Sequence, residues 1–499
     1  MHYKSGLDRG QLILFSTLED SIEEDNPVRL IDMLIESLFK QYPERFVYKG
    51  CSCSGQKSYS PSTLLKLYLY GYLNRISSSR RLERETRRNI EVKWLLCDLH
   101  PDFKTIADFR KDNKEAIRFV TLRFREFLIG EGYVKGQKIT YDGSKIKACT
   151  SKDKVLTTSS ISLKLQNLEK QLETYLEQLS GNDHAEDLQK EMESLCEDLG
   201  IDRSMAEEVL SLKSRIVELE RIQKELESSP HTSYCPNDPE AHLMKSRDGY
   251  IPAYNLQTGT DAENKMIVFA EVTDDVNDIG QLKGDYDQTI AQTGITPQTV
   301  LADSGYCNFD QIEAIETIDE ESCGIPKTQC TIPVPDSPAK EKDRQNGVSF
   351  IHDPQADIYT CVKGKKLTRK NRTVTHSNTE YHVYQANSRD CHSCPLWNKC
   401  TSAKNGRAIK IPKKQEFRKK YTDRMNHPEN RKLIKERKNL IEHVFGTLKR
   451  WMGKVPILLT SKKKVQIEID LYTTAYNIRR LVSMENVPVL VQKLGNYSF

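Results

Sequence analysis

Two short apolar segments that each end in an aspartate followed by a glycine constrain the fold of this chain most strongly. The first covers 141–144 (YDGS), at the end of a strand predicted over 137–144. The second covers 300–305 (VLADSG). Carboxylates at the ends of strands point into the crevice where open α/β sheets bind ligands. The pattern therefore predicts an α/β fold in which Asp142 and Asp303 face such a crevice.

A third carboxylate, Glu442, lies in a helix predicted over 432–451. Three carboxylates in one site repel one another unless a cation neutralises them, and Mg²⁺ prefers oxygen ligands. A pair of such ions can activate a nucleophile and stabilise the leaving oxygen of a phosphodiester. The acids together predict a site for two Mg²⁺ or Mn²⁺ ions. Taken singly, Asp142 and Asp303 also fit turn residues, and Glu442 fits a surface glutamate.

The charge of the chain is distributed unevenly. Residues 401–464 contain 20 Lys and Arg against 5 Asp and Glu, although the net charge of the whole chain is +4. A basic block of this density favours a polyanionic partner such as DNA, and the alternative is a solvated helix face. The sequence contains no run of eighteen apolar residues, so we expect no membrane-spanning segment.

The first 130 residues are predicted to be mostly helical. Ser60 is expected to cap a helix whose first residue is Pro61. A later segment, 101–110, is expected to begin another helix, which either places Thr105 and Arg110 on DNA or belongs to a packing or dimerisation domain.

Further along the chain, two patterns predict a helical hairpin and a β-hairpin. The apolar residues that follow Ile161 and Met205 are spaced alternately by four and three residues, which predicts an acidic coiled-coil hairpin. Alternating residues over 249–273 predict the β-hairpin.

The expected segments are 1–130 (helical, DNA-binding or dimerisation), 131–160 (start of the core), 161–230 (coiled-coil hairpin), 231–325 (core), 326–415 (insertion with cysteines) and 416–499 (last part of the core, with the basic helix).

Four cysteines lie close together in the 326–415 segment. Cys391 and Cys394 form a Cys-x2-Cys pair, Cys400 follows it, and Cys361 precedes it. Four cysteines in such an arrangement can bind Zn²⁺ tetrahedrally, which predicts a structural zinc site. His392 is a competing ligand, and reduced thiols without metal are the alternative.

Several of these segments together resemble the DDE transposases of bacterial insertion sequences, over about 58–452. The resemblance rests on 141–144, on 301–306 and on 441–451 (IEHVFGTLKRW), and 243–257 is similar to the central hairpin of that family. In the family, a glutamate is followed seven residues later by a lysine. Glu442 and Lys449 keep this spacing, which is two helical turns.

One part of the family pattern differs in this chain. The wider signature places a tyrosine seven residues and an arginine four residues before the glutamate, and these positions hold Lys435 and Lys438 here. The charge is kept at Lys438 but the tyrosine is missing. The difference concerns the sub-branch with the longer signature and leaves the three acids unchanged.

The resemblance implies an RNase H-like catalytic core within the α/β fold, with a helical N-terminal domain, the inserted coiled-coil hairpin and the cysteine-bearing insertion. It implies metal-dependent cleavage at insertion-sequence ends and strand transfer into target DNA. Asp142, Asp303 and Glu442 would be the catalytic metal ligands. The residues implied to contact DNA are Lys438, Lys449 and Arg450.

The resemblance also bears on partners and location. We expect a homodimer, because two DNA ends must be held at once, in the bacterial cytoplasm and at the nucleoid when bound to DNA. Two alternatives are a non-catalytic DNA-binding protein derived from the same fold and a nuclease that cuts without joining. A coiled-coil scaffold would explain only 161–227.

Overall fold

The computed structural model describes most of the chain as a mixed α/β structure. Within the described residues, no helix is both long and apolar enough to cross a lipid bilayer. The described residues are 17–47, 58–179, 203–229, 231–246, 249–316, 327–335, 342–343, 345–376, 379–412, 415–448 and 457–499.

Helices dominate the described part of the first 130 residues, as predicted. The predicted start of α2 is confirmed, because the Ser60 hydroxyl accepts a hydrogen bond from the Ser62 N–H and Pro61 begins the helix. This helix is buried on nearly all sides. Helices α1 to α6 span Pro27–Gln41, Pro61–Leu73, Ser79–Arg88, Ile90–Leu95, Phe103–Asp112 and Lys114–Gly130.

Helix α5 begins after Asp102 and does not present Arg110 to solvent. Arg110 is buried, and its Nη1 lies 3.2 Å from Glu468 Oε1 and donates to the Tyr72 hydroxyl at 3.2 Å. The suggestion that Arg110 lies on DNA is therefore wrong, because a buried carboxylate holds the guanidinium in the core. The packing alternative fits this helix better.

The two helices predicted from the heptad spacing form and pack against each other. The link between them, with Gly181 and Gly200, lies outside the described residues. We call α7 and α8 the helical pair, and we call the two short strands at its base, β2 and β3, the neck. The elements of this region are β1 (Lys138–Lys147), β2 (Leu156–Thr157), α7 (Thr158–Leu179), α8 (Arg203–Ser228) and β3 (Ser233–Tyr234).

A sheet built around β1 forms the centre of the molecule. Strand β1 pairs antiparallel with β5 and parallel with β7, which pairs parallel with β8, while β4 and β6 both pair antiparallel with β5. The β5–β6 pair confirms the predicted β-hairpin. The elements are β4 (His242–Ser246), β5 (Gly249–Asp261), β6 (Ile267–Thr273), α9 (Leu282–Thr293), β7 (Thr299–Leu301), α10 (Phe309–Ile315) and β8 (Gln329–Thr331).

The cysteine-bearing region contains a second sheet with its own small apolar cluster, against which Cys361 and Cys391 pack. Its strands follow the order β13-β12-β11-β10-β9, and neighbouring strands are antiparallel. The elements are β9 (Phe350–Asp353), β10 (Ile358–Cys361), β11 (Lys366–His376), β12 (Thr379–Ala386), α11 (Ser388–His392) and β13 (Ala408–Pro412).

The last helices return to the central sheet. Helix α14 packs against α2, α6 and β6, and α15 packs against α1. One continuous apolar cluster therefore joins the N-terminal helices, the central sheet and the C-terminal helices. These helices are α12 (Gln415–Asn426), α13 (Pro428–Gly446), α14 (Lys462–Val482) and α15 (Val487–Asn496).

Candidate functional site

Asp142 and Asp303 occupy equivalent positions on two neighbouring parallel strands. Thr140 of β1 is paired with Leu301 of β7, and each aspartate follows its paired residue by two positions. Asp303 keeps an extended backbone, with φ −82° and ψ 176°. Because side chains alternate between the faces of a strand, both carboxylates lie on the same face and at the same level of the sheet.

The strand that carries Asp142 is longer than the sequence pattern indicated. The strand was predicted over 137–144, with the aspartate and glycine at its end, whereas β1 continues and pairs with β5 as far as Lys147, opposite Ala253. Gly143 serves another purpose. A Cβ atom there would lie 2.3 Å from Asp278 Oδ1, so the glycine allows a close approach between strand and loop.

Asp142 has a cationic partner on helix α13, which lies over β1, β7 and β8. The Arg437 Nη2 donates to Asp142 Oδ1 at 2.6 Å, and both side chains are largely buried, at 12% and 17% exposure. Arg437 is thus a site residue that the sequence patterns did not single out. Its signal in the sequence was its position next to Lys438, where the wider family signature has an arginine.

Glu442 lies further along the same helix and is exposed. At 1.5 Å of rise per residue, its backbone is about 7 Å beyond that of Arg437 along the axis. It lines a cavity of about 640 Å³ together with Arg75, Arg479 and Arg480. The structure therefore brings Asp142 and Asp303 to adjacent positions and places Glu442 in a neighbouring basic cavity.

The predicted DNA contacts are only partly visible. Lys438 is exposed on α13, next to Arg437 in the sequence. Lys449 and Arg450 lie outside the described residues. Lys438 and the three arginines of the cavity beside Glu442 are described cations on or near this helix.

A further carboxylate, Asp278, lies on the face of β1 opposite to Asp142. It accepts hydrogen bonds from Lys145 Nζ at 3.3 Å, Asn255 Nδ2 at 2.7 Å and Gln257 Nε2 at 2.9 Å. A Cβ built on Gly305 would lie 2.9 Å from Asp303 Oδ1 and 3.8 Å from Asp278 Oδ2. Asp278 therefore approaches the end of β7 as well, although no local sequence pattern marks it.

Behind Asp278, Asp285 is buried on helix α9. Its Oδ2 has no hydrogen-bond partner among the described residues. Burial raises the pKa of Asp285 to about 8, and the negative charges of Asp278 and Glu271 add to the effect. This carboxyl is therefore mostly protonated at neutral pH.

Asp285→Asn is expected to make the protein clearly more stable than the wild type near pH 7.5 and only slightly more stable near pH 4.5. Asp285 releases its proton near pH 4 when unfolded but only near pH 8 when folded. Between these values the folded state binds more protons, so the free energy of unfolding falls as the pH rises. Urea denaturation at both pH values measures the difference. If Asp285→Asn were destabilised by the same free energy at both pH values, the predicted pH dependence would be wrong.

The four predicted zinc ligands meet at one small cavity. Cys361, Cys391, Cys394 and Cys400 all line a cavity of about 40 Å³ beside the second sheet. The Leu396 N–H donates to Cys394 Sγ at 3.5 Å. These thiols converge, but among the described residues they do not form a group whose ligand atoms all lie within 4.8 Å of one another.

The details of this cavity separate the cysteines from His392. The Arg407 N–H donates to Cys391 Sγ at 3.3 Å, which orients that sulfur. The His392 ring packs edge-to-face on Trp397, with 4.3 Å between ring centroids. The cysteines, rather than His392, thus line the cavity.

Two regions of the chain match known protein families. Residues 16–112 match the family described as transposase domain (DUF772), and residues 360–482 match the family described as transposase DDE domain. Together, the two matches support a DDE transposase of the insertion-sequence type. No curated protein and no solved structure matches this transposase.

The matched regions divide the site of the transposase. The DDE match contains Arg437, Glu442 and the four cysteines, and the other match contains Arg75. Asp142 and Asp303 lie between the two matched regions. Their assignment therefore depends on the residue pattern and on the register of β1 and β7.

Proposed function

We propose that the transposase cuts DNA at the ends of an insertion sequence and joins the freed ends to target DNA, using divalent cations. The observation that carries the proposal is the pairing of Thr140 with Leu301, which sets Asp142 and Asp303 side by side under α13. In the first step, water attacks a phosphodiester, the bond to the 3′ oxygen breaks, and a 3′-hydroxyl is released. In the second step, that hydroxyl attacks a target phosphodiester and displaces another 3′ oxygen.

We propose that the core has an RNase H-like fold. Support comes from the order β6-β5-β1-β7-β8, in which an antiparallel three-stranded unit is followed by two parallel strands. The inserted helical pair and the cysteine-bearing sheet both leave this core at connections between its elements.

The donor set at the proposed site suits a hard cation. Asp142 and Asp303 offer only carboxylate oxygens, which Mg²⁺ and Mn²⁺ prefer. Asp142 already faces a positive charge, because Arg437 binds one of its oxygens. When bound, two such ions would supply a polarised water and neutralise the charge on the leaving oxygen. The two aspartates would hold them, with Glu442 as the third ligand.

This role for Glu442 has a structural consequence. Glu442 lines the cavity with the three arginines, so this role requires its carboxylate to approach the two aspartates when metal and DNA bind. The positive charge of the arginines beside Glu442 favours binding of a DNA phosphate in this cavity. We propose that the DNA backbone is bound by Lys438 of α13 and by two residues that follow this helix in the sequence, Lys449 and Arg450.

The decisive experiment incubates the transposase with DNA that carries the flanking element ends, with Mg²⁺ or Mn²⁺. Joined products support the transposase reaction, whereas hydrolysed ends without joining would indicate a nuclease. Binding without any cleavage would favour a non-catalytic DNA-binding protein.

We also propose that the transposase acts as a homodimer. Two element ends must be held together for both to be joined to one target. The mass of the DNA-bound complex, measured by light scattering, is expected to correspond to two chains of 57.5 kDa plus DNA. A complex with one chain would contradict this proposal.

The four cysteines are proposed to hold a structural zinc ion, which gives a direct prediction. Cys391→Ser is expected to remove the zinc that the wild type carries and to lower the melting temperature, since structural zinc contributes folding energy. Metal analysis of the purified protein measures the zinc content. The control is Cys97→Ser, at an exposed cysteine remote in sequence. A wild type without zinc, or a Cys391 variant that retains it, would contradict the site.

A further inference from the structure

The neck holds a cluster of side chains that the transposition chemistry does not use. Strands β2 and β3 pair there, with Leu156 opposite Tyr234, and connect the helical pair to the central sheet. His231 precedes β3, His242 begins β4, and Asp274 follows β6. Three separate parts of the chain therefore meet at this point.

The three side chains lie within the reach of one cation. One ligand atom from each of His231, His242 and Asp274 lies within 4.8 Å of the other two, and in the described part of the chain this is the group of three that meets that condition. His242 is buried and the other two are partly buried. The imidazole rings stack at 3.6 Å between centroids, with 13° between their planes.

The hydrogen bonding of His242 presents one nitrogen as a ligand. Its Nδ1 lies 3.2 Å from the backbone carbonyl of Ser233, which can only accept, so Nδ1 carries the proton. The Nε2 is then left with a free lone pair. A histidine whose other nitrogen donates to a carbonyl has the arrangement typical of metal ligands.

Asp274 has a competing cation. Lys462, at the start of α14, donates to Asp274 Oδ1 at 2.8 Å. A carboxylate has two oxygens and about four lone-pair sites, so it can serve both an ammonium and a metal ion. The Lys462 ammonium nevertheless repels a metal ion, so we expect it to weaken metal binding at Asp274.

We propose that His231, His242 and Asp274 form a second metal site, for a borderline transition-metal cation such as Zn²⁺ or Co²⁺. Two imidazole nitrogens and one carboxylate oxygen suit these ions better than Mg²⁺, which prefers an all-oxygen shell. The bound ion joins the base of the helical pair to β4 and β6. It thereby limits how the helical pair moves relative to the central sheet.

Titration of the metal-stripped full-length protein with Co²⁺ tests the site. Cobalt at the cysteines gives thiolate charge-transfer absorption, whereas cobalt at two histidines and a carboxylate gives only weaker visible bands. We expect the wild type to show both signals. His231→Gln and His242→Gln should each lose the second signal and bind Co²⁺ at this site at least about tenfold more weakly, because even outer partners of ligands contribute about 10- to 100-fold.

Two control variants make the test specific. His100→Gln removes a histidine that faces a single carboxylate, Asp98, at 3.5 Å, and it should leave both signals unchanged. Lys462→Gln should tighten Co²⁺ binding, because it removes the competing ammonium. Circular dichroism of the metal-free variants shows whether they are folded.

Two outcomes overturn the proposal. If folded His242→Gln binds Co²⁺ with the stoichiometry and affinity of the wild type, the histidines are a stacked pair without a metal role. If Lys462→Gln binds no more tightly than the wild type, Asp274 is not a ligand and the site fails as proposed.

Discussion

Asp142→Asn is expected to abolish both DNA cleavage and strand joining while the protein still binds DNA. Asparagine keeps the size of the side chain but removes the negative charge that a divalent cation requires. Partners that only orient metal ligands contribute about 10- to 100-fold to affinity or activity, so loss of a direct ligand should cost at least about a hundredfold. Asp303→Asn should behave in the same way, because the two residues lie at the same level of neighbouring strands.

The comparison needs a carboxylate that is remote from the chemistry. Asp287 is exposed on α9 and pairs with Lys283 one turn away. Asp287→Asn should therefore cut and join at the wild-type rate. Gel-based cleavage and joining assays with Mg²⁺ measure the products, and a shift assay measures DNA binding.

The Asp142 variant also loses its ion pair with Arg437, so its folding must be measured as well. A melting temperature close to that of the wild type would assign the lost activity to the site itself. If folded Asp142→Asn cuts as fast as the wild type, this aspartate is structural and the proposed metal site is wrong.

The parts of the fold that were predictable from sequence are those that follow from local patterns. The cap at Ser60, the β5–β6 hairpin and the helices of the helical pair each depend on residues close together in the chain, and each is confirmed. The end of β1 was predicted wrongly. An aspartate followed by glycine is typical of a turn, whereas here the pairing with β5 keeps Gly143 in the strand.

The site contained features that no local pattern could predict. Arg437 and Asp142 are 295 positions apart in the chain, and their ion pair exists only because α13 crosses β1. Asp278 is held by three donors from two strands, and its loop has no periodicity. No local pattern joins His231 to His242, because their approach depends on the contacts of His242 and Leu243 with Ser233 of β3.

Asp470→Ala is expected to destabilise the protein by about 3–5 kcal/mol, because it removes one partner of a buried ion pair. Asp470 is 1% exposed on α14, and Arg118 of α6 donates to its Oδ1 from Nη1 at 2.6 Å. Arg118 also binds Glu271 of β6. The cluster thus fastens an N-terminal helix and a C-terminal helix to the central sheet.

A second arginine increases the expected cost. Arg125 is fully buried near Asp470, and burial lowers its pKa to about 10, against the favourable charge of Asp470. Without the carboxylate, two guanidinium groups share the charge of Glu271 alone. Because a buried charge without a counter-charge is costly, the loss should exceed that of any exposed pair.

Urea denaturation measures the free energy of unfolding of Asp470→Ala and of Glu126→Ala. Comparing the two variants shows how much more a buried ion pair contributes than a partly exposed one. Glu126 forms an ion pair with Arg123 on the same helix, α6, but that pair is partly exposed, at 39% and 30%. Its loss should cost at most about 1 kcal/mol. If the two variants were destabilised equally, the Arg118–Asp470 pair would contribute no more than a surface pair. The junction between the helices and the sheet would then depend on apolar packing.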